Sequence, residues 1–243
     1  QRWGMSAQLS TKVCSYVLST FCGVHQFFRE ESMNIKIISC LSIFLVSGSL
    51  AFANENVVEN KVPTCDYTRL TINVPSTVKL VARGESSGKV KGVDRELGAL
   101  KYTCSNGNLE ISTKTKVSIK EGFIFELSSG SVSSLTLNGQ QKVDITELTA
   151  KRFTLVVNGA GKTILFGQVR DLDVSLNGPA QIEASSLESQ IGKIKVNGPG
   201  LVRVNVSSEL NGKVNGSGRI EYLGNPQSID TKVNGSGSIS LVQ

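Results

Sequence analysis

From residue 134 onward the chain alternates apolar and polar side chains with a period of two, and an Asn-Gly pair punctuates the alternation at near-even intervals. The punctuating asparagines are Asn138, Asn158, Asn177, Asn197, Asn215 and Asn234, separated by 20, 19, 20, 18 and 19 residues. The hexapeptide KVNGSG is written twice in this series, at 213–218 and at 232–237. With each Asn as position zero, position −1 is always apolar: Leu137, Val157, Leu176, Val196, Val214 and Val233. Position +1 is Gly, and position +3 is small except at Gln141. Positions +5 (Val143, Thr163, Ile182, Val202, Ile220, Ile239) and +7 (Ile145, Leu165, Ala184, Val204, Tyr222, Leu241) continue the apolar set. Positions +4 and +6 are mostly polar. Period-two alternation is the signature of a strand with one buried face.

Asn-Gly is also the strongest two-residue hairpin turn, so a row of hairpins competes with this reading. Parity decides against it. In a hairpin −3 would face +4, placing Lys142, Lys162, Gln181, Leu201, Arg219 and Ser238 on the apolar face. The apolar set instead runs through Asn-Gly with odd parity, and Pro179 and Pro199 at +2 are poor residues for a paired strand. The chain therefore bends at each pair without reversing. A bend every 19–20 residues between consecutive strands predicts an all-β parallel solenoid whose passes bury their odd positions against one another. The six asparagines would form a ladder along one corner.

Before residue 134 the alternation persists on a less regular beat. Leu70, Ile72 and Val74 precede Pro75, Val78 and Leu80 follow it, and Leu109 and Ile111 follow a turn at Ser105-Asn106-Gly107. These segments read as irregular first passes that cap one end. Further upstream, MNIKIISCLSIFLVSGSLAFA begins at Met33. A basic start at Lys36, an apolar run over 37–50 and Ala51-Phe52-Ala53 match a secretory signal peptide cleaved between Ala53 and Asn54. Cys40 lies ahead of the apolar run, which does not suit a lipoprotein signal. Residues 1–32 read as an upstream-translated extension, 54–64 as a short linker and 65–243 as one domain.

Processing there changes the inventory. His25, Trp3 and both methionines leave, and net charge falls from +6 to +4 with the loss of Arg2, Lys12, Arg29, Lys36, Glu30 and Glu31. The remaining charges are interspersed and aromatics are few, which argues against a nucleic-acid partner. No span of a membrane remains after cleavage. Cys65 and Cys104 are the cysteines left, and in an exported chain they are expected to pair; two buried free thiols are the alternative.

The runs YTRLTINVPSTVKLVARGESSGKVKGV, GNLEI, FELSSGSVSSLTLNG and GSGRIEYLGNP, with the ending VNGSGSI, resemble the head GIN domain family over residues 65–242. The family was formerly a domain of unknown function, and its members are labelled auto-transporter adhesins. The resemblance is most specific at 214–242, and it departs where Gln140-Gln141 replaces the second glycine. It implies a bacterial, envelope-exported, right-handed parallel β-helix, and it brings no catalytic residues.

Catalytic, cofactor and metal sites are not expected. NGAGKT at 158–163 lacks the first glycine of a phosphate-binding loop, whose place is taken by Val156. Calcium-binding β-roll repeats need Asp where this chain has Val143, Thr163, Ile182, Val202, Ile220 and Ile239. Without His in the processed chain, Ser-His-Asp and Cys-His chemistry is closed. Glu183, Arg203 and Glu221 recur at +6 and should align on one outer face. They read as an alternating-sign ladder, or else as a pair of carboxylates about 10 Å apart, near the spacing of an inverting glycosidase. The leading expectation is a non-enzymatic, adhesin-like module in the periplasm or at the cell surface, contacting glycan or envelope protein. A carbohydrate-active β-helix enzyme is the alternative. The last pass stops nine residues beyond Asn234 with Leu241 and Val242 apolar, so self-association is expected at the carboxyl end.

Exported protein is expected to begin at Asn54, and intact-mass measurement of the secreted form tests this. A secreted species that retains residues 1–32 would overturn the reading.

Overall fold

A computed structural model of the protein describes residues 56–114 and 118–242. The extension at 1–32, the signal segment at 33–53 and the Ala53–Asn54 junction lie outside the described residues. Thirteen strands form one sheet: β1 (Val57–Lys61), β2 (Arg69–Ile72), β3 (Ser76–Val81), β4 (Ser87–Val93), β5 (Leu100–Ser105), β6 (Asn108–Thr113), β7 (Phe123–Ser128), β8 (Ser134–Asn177), β9 (Gln181–Asn197), β10 (Leu201–Asn215), β11 (Arg219–Leu223), β12 (Ser228–Asn234) and β13 (Ser238–Leu241). The four-residue helix α1 (Asp94–Leu97) interrupts them. The chain is all-β.

From β8 onward every pairing is parallel. The corner asparagines are in register, with Asn177 beside Asn197, Asn197 beside Asn215, and Asn215 beside Asn234. Odd positions point inward. Leu137, Val157, Leu176, Val196 and Val214 at −1 are buried, and so are Val143, Thr163, Ile182, Val202 and Ile220 at +5. Each layer thus covers the apolar side of the next, and the transfer of those side chains out of water is the main stabilising term.

The Asn-Gly corner works through the glycine. All six +1 glycines have positive φ, from +106° at Gly198 to +145° at Gly159, a region that side chains rarely adopt. The tight inward position is +3. A Cβ on Gly200 would lie 2.5 Å from Leu176 Cδ2 and 2.7 Å from the Gly178 carbonyl oxygen. Gln141, the exception at +3, is buried and donates through Nε2 to the carbonyls of Val74 (3.0 Å) and Asn138 (2.8 Å). Asn106-Gly107 shows what the same dipeptide does with two positive φ angles, +48° and +69°: it reverses the chain between antiparallel β5 and β6.

The amino-terminal part is ordered differently in space than in sequence. β2 and β3 form one layer and pair with β8 on one side, Ile72 with Leu137 and Val78 with Val143. On the other side they pair with β6 and β7, Ile72 with Ile111 and Val78 with Phe125. The chain therefore leaves β3, builds the outermost layer from β6 and β7, and returns past β2 and β3 to enter β8. Antiparallel β4 and β1 extend the β7 edge. Residues 57–61, read from sequence as linker, are strand β1, because their backbone completes the edge of β4. The Cys65–Cys104 disulfide ties the approach to β2 to the β5–β6 hairpin. It closes a loop with a sequence separation of 39. Loop-closure entropy for that length is worth about 4 kcal/mol.

Two glycine replacements separate strain from clash. Gly198→Ala meets nothing nearer than 3.6 Å and is expected to cost only backbone strain, about 1–3 kcal/mol. Gly159→Ala adds a Cβ 2.0 Å from the Gly139 carbonyl oxygen and is expected to cost several kcal/mol more. Urea unfolding midpoints compare them, and equal losses would mean that adjacent corners do not approach this closely.

Candidate binding surface

Stacking in register turns each outward position into a column, and three columns carry polar groups. At the corner, Nδ2 of each asparagine donates to Oδ1 of the one in the preceding layer. Asn234 donates to Asn215 (2.8 Å), Asn215 to Asn197 (2.7 Å), Asn197 to Asn177 (2.6 Å), Asn177 to Asn158 (2.7 Å) and Asn158 to Asn138 (2.8 Å). The chain of amides continues beyond the six. Asn138 donates to Asn73 (2.6 Å), and Asn73 donates to Glu110 Oε1 (2.9 Å). A carboxylate terminates the row, since it accepts without needing to donate. Asn73 carries no glycine after it, so the Asn-Gly signal does not mark it. Both amide groups of each interior asparagine are used within the column, which suits it to hold the corner and leaves little capacity for a ligand.

The second column lies on the wall after the corner. Glu183, Arg203 and Glu221 are register neighbours. Arg203 donates from Nη1 to Glu183 Oε2 and from Nε to Glu221 Oε2, both at 2.9 Å. The Glu221 hydrogen bond, and then the charges of Glu183 and Glu221, hold the guanidinium above its ordinary pKa. Ile164 is the neighbour of Glu183 on the other side and interrupts the charges, which resume further upstream as Asp144, Lys79 and Glu126. A guanidinium occupies the space between the two glutamates where an inverting glycosidase would place sugar and water. Glu183, Arg203 and Glu221 neutralise one another in part.

A third column, on the wall before the corner, does not. Lys195, Lys213 and Lys232 at −2 are direct register neighbours, and Lys193 lies two residues along from Lys195. All four are exposed, and none belongs to an ion pair among the described residues. Adjacent strands lie about 4.8 Å apart, and like charges directly opposite on neighbouring strands disfavour one another. The sequence signal is KVNG, written three times, with lysine always on the outward parity. Identifying the column requires asking what stacks on what, which a residue-by-residue search for ligands or nucleophiles passes over.

A shallow groove of about 600 Å³ lies across β1, β3, β4 and β7. Val62 and Leu127 form its floor, Lys61, Lys79 and Lys89 rim it, and Glu126 is its one carboxylate. Lys89 is held 3.0 Å from Glu59. Among the described residues no group of three His, Cys, Asp or Glu side chains could hold a metal, and no helix is long and apolar enough to cross a membrane.

A family model described as "Putative auto-transporter adhesin, head GIN domain" matches residues 66–226. The chain belongs to the head GIN domain family. Its fold is shared with a solved "putative adhesin" from Bacteroides fragilis, at 16% identity and a TM-score of 0.62, over 77% of this chain and 98% of that one. A "putative adhesin" from Parabacteroides merdae is similar at 15% identity and a TM-score of 0.53, over 78% and 98%. No curated protein matched. Within this head GIN domain the Asn column is part of the scaffold, and the two charged columns are what the surface offers outward.

Removing an interior amide should expose its structural share. Asn177→Ala deletes two hydrogen bonds and is expected to cost about 1–3 kcal/mol. Asn211→Ala, in an Asn-Gly pair outside the column, should cost under about 0.5 kcal/mol. Thermal unfolding of both variants is the check, and equal shifts would show that the column contributes nothing.

Proposed function

We propose that this head GIN domain is an exported, non-enzymatic binding module of the bacterial envelope, and that it contacts acidic glycan through the lysine column. In this reading the chain winds as a right-handed parallel β-helix of 19–20-residue passes. The parallel registers of β8 to β13 support the winding, and the strong preference of parallel crossovers supports its hand. Export and a place in the periplasm or on the surface rest on the signal-like segment at 33–53 and on the adhesin family.

The stacked lysines, none in an ion pair among the described residues, carry the proposal. On the wall after the corner, Arg203 lies between Glu183 and Glu221 and bonds to both. On the wall before it, Lys195, Lys213 and Lys232 stack like on like, a costly arrangement that an anionic chain laid along the column would relieve. Repeating carboxylates or phosphates of a polymer match a repeating row of ammonium groups, and each contact near such a surface is worth about 1 kcal/mol. No observation favours the enzyme alternative, since Arg203 engages both candidate carboxylates.

Binding to polygalacturonate, an acidic polysaccharide, and to neutral dextran tests the reading. Wild-type protein is expected to bind polygalacturonate alone and to lose affinity as salt rises. The triple variant Lys193→Gln/Lys195→Gln/Lys213→Gln should bind at least roughly tenfold more weakly. Equal binding to dextran, or an unchanged triple variant, would remove the column from the mechanism.

A further inference from the structure

Among the described residues, β12 pairs only with β10, and β13 only with β11. No described layer covers the residues that are inward by parity there: Ile229 is 49%, Val233 40% and Leu241 57% exposed, whereas Leu210 and Val214, one layer in, are fully buried. A seven-residue edge strand without proline or bulge is an invitation to pair.

The strand also carries a pattern that selects its partner. Read as SIDTKVN, β12 is complementary to itself when run antiparallel about Thr231. Ile229 then faces Val233, Asp230 faces Lys232, Thr231 faces Thr231, and Ser228 faces Asn234. Residues directly opposite in an antiparallel pair point to the same side, so Ile229, Thr231 and Val233 of both copies stay on the core side while Asp230 and Lys232 stay outside. A slip of one residue would put core positions opposite solvent positions. Moving the centre of symmetry by one residue keeps the faces matched but sets Asp230 against Asp230 or Lys232 against Lys232. Only the register centred on Thr231 satisfies both apolar and charged positions. Asn234 ends the amide column, donating to Asn215 while its own Oδ1 accepts from no described group, and the Ser228 hydroxyl is the donor placed opposite it.

We propose that the protein forms a two-fold dimer through antiparallel pairing of β12 with β12 of a second copy, centred on Thr231. The two stacks join end to end, and Ile229 and Val233 of each copy cover the exposed core of the other. Lys232 belongs to both the lysine column and this contact, whereas the glycan test substitutes only Lys193, Lys195 and Lys213, which lie outside it, so either reading can fail alone.

Sedimentation equilibrium of the purified protein over a concentration series, with charge reversals, is the test. Wild type is expected to dimerise. Asp230→Lys and Lys232→Asp each create two like-charged pairs across the interface and should raise the dimer dissociation constant about tenfold or more. The double variant Asp230→Lys/Lys232→Asp recreates the opposite-charge pairs and should restore dimerisation toward wild type. Both side chains point outward, and circular dichroism is expected to show unchanged folding of all variants. A wild-type monomer across the whole series, a dimer indifferent to the single reversals, or a double variant no better than the singles would each overturn the proposal.

Discussion

Each pass of the chain turns its corner in the space left by the pass before it. At Gly159 the backbone approaches the carbonyl of Gly139 so closely that a Cβ would lie 2.0 Å from the oxygen, and a Cβ on Gly235 would lie 2.5 Å from the Gly216 carbonyl oxygen. This contact fixes where one layer sits on the next. A slip of one residue along the strand would bring side chains into the corner and turn every inward residue outward. Burial of Val157, Leu176, Val196 and Val214, the amide column and the charged columns all follow from that alignment.

Register acts as a multiplier. A residue choice that would be minor on an isolated strand becomes a column when it recurs at the same position. Glutamate and arginine in alternation give a self-satisfied wall, held by Arg203 between two carboxylates. Lysine recurring in KVNG gives a like-charged row at Lys195, Lys213 and Lys232, with Asp173 beside Lys193 and Asp230 two residues from Lys232. Such exposed ion pairs add little stability individually, since solvent screens them. Their effect is to engage Glu183, Arg203 and Glu221 with one another, whereas Lys195, Lys213 and Lys232 stay outside any ion pair among the described residues.

The two ends of the stack are finished differently. Beyond the first layer, β6 and β7 lay another on top, with antiparallel β4 and β1 along its edge and the disulfide anchoring the hairpin beneath. At the other end β12 and β13 leave apolar residues and backbone edges uncovered. Among the described residues, one end is covered by further strands and the other presents a strand edge.

The local and periodic parts of this architecture were legible in sequence because each depends on a short, repeated rule. Odd parity through Asn-Gly gave the inward set, positive φ explained the invariant glycine, and the +6 spacing aligned Glu183 with Arg203 and Glu221. Tertiary structure decided what depends on non-local pairing. Asn73 joins the amide column without a following glycine because β2 lies in register with β8, 65 residues away by the Asn138–Asn73 bond. Glu110 ends that column because β6, later in the chain than β2, is stacked outside it. Asn106-Gly107 and Asn138-Gly139 are the same two letters, yet one reverses the chain and the other bends it. In the first, antiparallel β5 and β6 close on each other; in the second, a parallel neighbour holds both sides of the corner. Sequence determines which backbone angles a dipeptide can take, and the strand packed beside it determines which of them are used.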